Sequence, residues 1–198
     1  MAKLFLIMGK SASGKDTLYK DIVARFGDGL GTVVPYTTRP IREGEQEGVE
    51  YHFITESKMH ELDDAGKVIE KRCYQTVYGP WYYLTADDGQ IDLSRRSSIL
   101  IVTPAAYGKL RDYFGVEHVV PLYVETEDGL RLARALKRER AQKHPKYEEM
   151  CRRFLADAED FSEKKLRELG IERRFTNDQY DRVLNELCDV IKKESGDA

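Results

Sequence analysis

A chain of 198 residues, 41% hydrophobic and 34% charged, is long enough to bury one sizeable core and polar enough to be a water-soluble globular protein. A net charge of −3 and a pI near 5.9 argue against wrapping nucleic acid through bulk charge. No apolar run approaches the ~20 residues of a membrane span.

Residues 3–8 (KLFLIM) read as a buried strand without alternation. The apolar run at 4–9 is too short for a secretory leader and leads straight into a glycine motif. Residues 15–26 carry Leu18, Ile22, Val23 and Phe26 at helical spacing. Residues 32–34 predict a short second strand, stopped by Pro35. Residues 35–84 are rich in tyrosine, with short β-like runs around one helical piece at 57–65, and read as an inserted, partly β subdomain. Residues 98–102 (SILIV) return to a buried strand, 105–114 to a helix and 119–124 to a strand, in which Pro121 predicts a bulge or an edge position. Residues 127–169 read as charged helix broken near His144-Pro145, 174–176 as a last strand and 178–193 as a closing helix. Strand–helix alternation interrupted twice predicts an α/β core of three layers with two excursions. Cys73, Cys151 and Cys188 are odd in number and far apart. They suggest neither a disulfide framework nor a metal site, and fit a reducing cytoplasm.

Gly9-Lys10-Ser11-Ala12-Ser13-Gly14-Lys15 matches the phosphate-loop pattern G-x-x-x-x-G-K between a strand and an amphipathic helix. The glycines let backbone N–H groups face phosphates, the helix adds its positive end, and Lys15 reaches the β- and γ-phosphates. The next position, usually Ser or Thr for Mg²⁺, holds Asp16, followed by Thr17. Two readings follow: Asp16 acts on Mg²⁺ while Thr17 holds the α-phosphate, or Asp16 caps the helix.

About twenty residues on, TTRPIREGEQEGVEYHF at 37–53 gathers Arg39, Arg42, Glu45 and Tyr51. Guanidinium forks and a phenol so near a nucleotide loop suggest a second phosphate site. The pattern T-T-R-x-x-R-x-G-E-x-x-G-x-x-Y-x-F after a P-loop resembles the guanylate kinase family. The resemblance implies a P-loop kinase core with a parallel sheet (residues 1–34, 85–126 and 170–198), a small α+β acceptor subdomain (35–84) and a helical lid (127–169). It further implies that Arg39, Arg42, Tyr51 and Tyr78 hold the phosphate of GMP, that Glu45 and Thr103 also line the acceptor site, and that Glu70 reads guanine by accepting from N1–H and the 2-amino group. Arg134, Arg138 and Arg152 would close over the transferring phosphoryl group, with Arg140 and Arg153 as neighbours able to substitute, and Asn177 would sit near the adenine of ATP. The partners implied are ATP with Mg²⁺, and GMP, without nucleic acid or membrane.

The chain departs from the family pattern where the base would bind. Pro35 and Pro80 stand where hydroxyls contact guanine, and Ile101 and Thr103 where the family carries acidic residues. Proline offers neither hydroxyl nor N–H. Phosphate chemistry is kept while guanine selectivity is weakened. The expected reaction is transfer of the γ-phosphoryl of Mg·ATP to GMP. The alternatives are the same fold with another monophosphate acceptor, or a non-catalytic module that binds phosphoproteins.

Overall fold

A computed structural model describes residues 1–42, 44–76 and 78–196. Two sheets organise it. The first has five parallel strands in the order β2-β7-β1-β8-β9: β1 (Leu4–Met8), β2 (Gly31–Thr32), β7 (Ser98–Ile101), β8 (Val119–Glu125) and β9 (Arg174–Thr176). Every residue of β1 is buried. Strand alternation then divides them: Phe5 and Ile7 enter one core, and Leu4, Leu6 and Met8 the other. The first core is covered by α1 (Lys15–Phe26) through Leu18 and Ile22 and by α7 (Tyr180–Ser195) through Val183, Leu184 and Leu187. The second is covered by α3 (Pro104–Phe114) through Ala106 and Leu110, and by Phe161, Leu166 and Ile171. This is the three-layer α/β core that the alternation predicts.

The second sheet runs β4-β3-β6-β5, from β3 (Tyr36–Thr37), β4 (His52–Phe53), β5 (Val68–Thr76) and β6 (Gly79–Ala86). β5 and β6 form an antiparallel hairpin, and α2 (Glu56–Asp64) seats Met59 in the interior. Thr55 and Thr103 cap α2 and α3 with their hydroxyls, accepting from Lys58 N–H and Ala106 N–H.

Four expectations shift. β8 lies between β1 and β9 and pairs Pro121 with Leu6 without a bulge. Pro121 is tolerated because β9 joins only from Tyr123 onward, so the first half of β8 is locally an edge. The strand expected at 32–34 ends at Thr32, because the Gln90 side chain takes both Val34 N–H (2.8 Å) and Val34 C=O (3.2 Å) in place of a strand neighbour. The closing helix begins at Tyr180, after an Asn177–Gln179 turn. The charged stretch divides twice, into α4 (Asp128–Arg140), α5 (Tyr147–Asp160) and α6 (Glu163–Glu168). The first break falls at the expected His144-Pro145, where the buried Glu139 accepts from Lys146 N–H. The second, unforeseen, lets Phe161 turn in and stack on Tyr123 at 5.6 Å. Among the described residues no helix is long and apolar enough to cross a membrane.

Candidate active site

The phosphate loop leaves the carboxyl end of β1, between β7 and β8, the edge of a parallel sheet where ligands bind. Its backbone is fixed from behind. A Cβ on Gly9 would meet Val124 C=O at 2.6 Å, and one on Gly14, whose φ is +90°, would meet Asn177 Nδ2 at 2.5 Å. Ser13 C=O accepts from Asn177 Nδ2 (2.7 Å) and from Thr126 Oγ1 (3.0 Å). Ser11 C=O accepts from Arg131 Nη1 at 2.9 Å, and Ser11 N–H donates to Asp157 at 2.7 Å. Ala12 takes a left-handed φ of 61° within the loop. Ser13 Oγ is buried without a partner.

Lys15 opens α1 with its ammonium 3.1 Å from Asp16 Oδ2. Burial pushes the Asp16 carboxyl upward, but the Lys15 charge and hydrogen bond, with help from Arg138, outweigh it and hold it below the usual range. Lys10 turns away to pair with Asp128 at 3.3 Å, so of the expected loop residues its side chain stands outside the cradle. Asn177 supports the loop backbone through Ser13, and also lines a cavity with Gly14, Thr17, Arg134, Asp178 and Tyr180.

The second cluster is built on β3 and β4. Thr37 Oγ1 donates to Tyr82 C=O (2.8 Å) and accepts Arg39 N–H (3.1 Å), which fixes the chain direction into Arg39. Arg39 is 3% exposed, with both terminal nitrogens 2.9 Å from the two oxygens of Glu45. It lies over the rings of Tyr51 (5.4 Å) and Phe53 (5.5 Å). Its Nε is buried and unpartnered. Glu45 also accepts Arg42 N–H at 2.8 Å. Its two oxygens are therefore spent on the arginines, and it orders them where direct contact with an acceptor was expected. Arg42 is exposed, and burial raises the Tyr51 phenol above its ordinary value. Tyr78, expected beside them, is exposed at the end of the β5–β6 hairpin and stacks on Trp81.

The residues expected to read a base meet on one face of the hairpin. Glu70 is buried and takes three hydrogen bonds: Arg72 Nε (3.0 Å), Arg72 Nη2 (3.3 Å) and Thr85 Oγ1 (2.9 Å). Arg72 Nη1 continues to Thr103 Oγ1 at 3.1 Å. Sequence reasoning missed Arg72. The available signal was its spacing of two from Glu70 on a strand, which places both on one face.

The arginines expected in a lid separate. Arg134 and Arg138 are exposed on α4, Arg134 at the cavity beside Gly14 and Arg138 close enough to influence Asp16. Arg152 is tied to Glu149 of its own helix by two 2.7 Å bonds, while its neighbour Arg153 reaches Ser11 Oγ at 3.3 Å. Arg131, also missed, is buried under the loop between Asp128, Asp157 and the Phe154 ring.

The guanylate kinase family model matches residues 1–194. Among curated proteins, guanylate kinase of Schizosaccharomyces pombe is 40% identical over 78 residues, 39% of this chain and 39% of that protein. Guanylate kinase of Nitrosococcus oceani is 29% identical over 121 residues, 61% of this chain and 57% of that protein. The chain thus spans from just under two fifths to less than three fifths of these relatives' length. The crystal structure of guanylate kinase from Anaplasma phagocytophilum superposes with a TM-score of 0.64 at 20% identity, over 98% of this chain and 87% of that one.

Proposed function

The chain belongs to the guanylate kinase family, and we propose that it moves the γ-phosphoryl group of ATP onto the phosphate of a nucleoside monophosphate, GMP in the first instance, giving ADP and GDP. The observation that carries this reading is the intact phosphate loop. Gly9 and Gly14 have no room for a side chain and Lys15 heads α1, features that a non-catalytic binding module has no need to keep.

In this reading Lys15 neutralises the β- and γ-phosphates and Arg39 and Arg42, ordered by Glu45, with Tyr51 beside them, grip the acceptor phosphate. Tyr78 joins them after hairpin movement. Glu45 acts through Arg39 as a positioning residue. Arg134 and Arg138 close over the phosphoryl group in flight, and Arg152 joins them on exchanging Glu149 for phosphate. Asn177 holds the loop beside the adenine side of the cleft. The acceptor oxygen is already anionic at neutral pH, so no general base is needed, and positioning and charge neutralisation supply the rate. Residues 35–84 then form the acceptor subdomain and 127–169 the lid, whose closure excludes water.

Mg²⁺ is usually held by one or two carboxylates together with waters and substrate phosphates. Asp16, ionised at the mouth of α1, with Thr17 beside it, fits such a partial donor set. Bound there, Mg²⁺ would supply further neutralisation of the β- and γ-oxygens. The three free cysteines, two exposed and one buried, suit a reducing cytoplasm.

The test is ADP release from Mg·ATP with GMP, dGMP, IMP, AMP, CMP and UMP, with Lys15→Ala as control. Turnover with GMP that drops ~10²-fold or more in the control is expected. Turnover with none of the six would sink the assignment. A second reading, transfer to a different monophosphate, is favoured by the engagement of Glu70 with Arg72.

A further inference from the structure

This inference rests on the reading above that the cleft facing β5 and β6 takes an acceptor monophosphate. A carboxylate that distinguishes guanine must offer lone pairs to N1–H and the 2-amino group. The Glu70 side chain is 1% exposed, and both its oxygens are engaged by Arg72 and Thr85. The group that meets the cleft is Arg72, 21% exposed. Of the five N–H donors of a guanidinium, one goes from Nε and one from Nη2 to Glu70, and one from Nη1 to Thr103. One N–H on each terminal nitrogen is left over by Glu70 and Thr103, and the Tyr74 phenol lies against the same guanidinium. Arg72 stays charged: burial pushes its pKa down, but the Glu70 carboxylate outweighs this and raises it. The other positions expected to help read the base leave no acceptor free to replace Glu70. Pro35 and Pro80 bring no hydroxyl, and Thr103 Oγ1 is engaged by Arg72 Nη1 and Ala106 N–H. The charged group that meets the cleft is therefore the Arg72 guanidinium, with the Tyr74 phenol on the same face.

We propose that Arg72 is the specificity-determining residue of the acceptor site: by holding Glu70 it leaves the 2-amino group of guanine unread, and it selects instead for an oxo-bearing edge that accepts hydrogen bonds, as the O6/N7 edge of a 6-oxopurine does. Arginine matches such an edge with two parallel N–H groups, whereas the amino group of adenine sets a donor against a donor. GMP and IMP, which differ only by the 2-amino group, are then equivalent acceptors.

The experiment is calorimetric binding of GMP, IMP and AMP to the wild-type chain and to Glu70→Gln, Arg72→Lys and Arg72→Ala, alongside ADP release for each pair. The wild type is expected to bind GMP and IMP within ~3-fold of each other and AMP ~10-fold more weakly. Glu70→Gln and Arg72→Lys keep the GMP:IMP ratio, and Arg72→Ala raises it to ~10-fold or more by releasing Glu70. A general loosening of the hairpin would weaken all three nucleotides without moving that ratio. Should Arg72→Ala fail to fold, the wild-type and Glu70→Gln ratios decide. A wild-type preference for GMP over IMP of about 30-fold, abolished by Glu70→Gln, overturns the inference, as does binding of none of the three. Equal binding of GMP and IMP without ADP release would sink the transferase reading and leave this one standing. ADP release with a pyrimidine acceptor alone would do the reverse.

Discussion

Helix α4 carries Arg131, Arg134 and Arg138 within two turns, and the structure gives the first a different task from the others. Arg131 is 1% exposed and joins the phosphate loop to α4 and α5. Its two bonds to Asp128 (3.0 and 2.7 Å) reach a carboxylate that is half exposed, so they contribute ~1 kcal/mol at most. The bond to Ser11 C=O at 2.9 Å is charge-assisted and enclosed, in the class that contributes ~1.5–3 kcal/mol, and the 3.5 Å contact to Asp157 adds less. Packing of the guanidinium on Phe154 at 4.7 Å adds ~0.5–1 kcal/mol. Arg131→Ala is therefore expected to cost ~3–5 kcal/mol, in line with removing one partner of a buried ion pair. For a chain of this size that is a fall of roughly 6–20 °C in Tm. Arg134→Ala, at an exposed position beside the cavity, is expected to change stability by less than ~0.5 kcal/mol while lowering kcat by ~10²-fold. Urea and thermal denaturation with the ADP-release assay separate the two. A cycle with Asp157→Asn should show coupling to Arg131 of ~0.5 kcal/mol or more. A loss below ~1 kcal/mol for Arg131→Ala, or an equal loss for Arg134→Ala, would refute the division of labour on α4.

Gly14→Ala places a Cβ 2.5 Å from Asn177 Nδ2 at a φ of +90°. It is expected to cost ~1–3 kcal/mol and to weaken ATP binding by displacing the amide that holds Ser13; unchanged urea midpoint and ATP affinity would contradict this. The Glu45 carboxyl is pushed up by burial, but the Arg39 and Arg42 hydrogen bonds overcome this and hold it below its ordinary 4.5. Its folded pKa is thus depressed, so the stability it confers is present above pH 4.5 and lost as pH falls through the folded value. Glu45→Gln should flatten that part of the Tm–pH curve, and identical acid limbs in the two proteins would exclude the linkage. Asp16→Ser is expected to raise the Mg²⁺ concentration for half-maximal turnover by ~10-fold or more; an unchanged midpoint would leave Asp16 as a helix-terminal charge alone.

The sequence made the core legible because its signals are local. β1 is a run of buried residues between a charged start and a glycine loop, and α7 repeats apolar residues at helical spacing. The elements it misjudged depend on distant partners. Pro121 does lie at a local edge, one of the two positions expected, but nothing near residue 121 records that this edge sits inside the sheet because β9 begins only opposite Tyr123. The break at Phe161 depends on the Tyr123 ring, brought alongside by the fold. The division between Arg131 and Arg134 has the same origin. Both are arginines on an amphipathic helix, and only the approach of Ser11 and Asp157 from other elements fixes which one is structural.

Glu70 is a different case, because the missing information lay two residues away. Read alone, it is a glutamate at a position where the family resemblance implies that guanine is read. Read at the strand's period of two, residues 70, 72 and 74 face one side together. Lys71 faces the other side and pairs with Asp63 of α2. The pairing of Glu70 with Thr85 and of Arg72 with Tyr83 in the hairpin keeps this register, so an arginine two along from a buried carboxylate has a neighbour within reach. A buried carboxylate left unpaired is costly, and a guanidinium on the same face is the first group able to satisfy it. The chemistry that remains for a ligand is then the chemistry of Arg72. A functional residue carried over from a family keeps its role only when the residues sharing its face are carried over with it, and here the residue two along from Glu70 is an arginine that engages it.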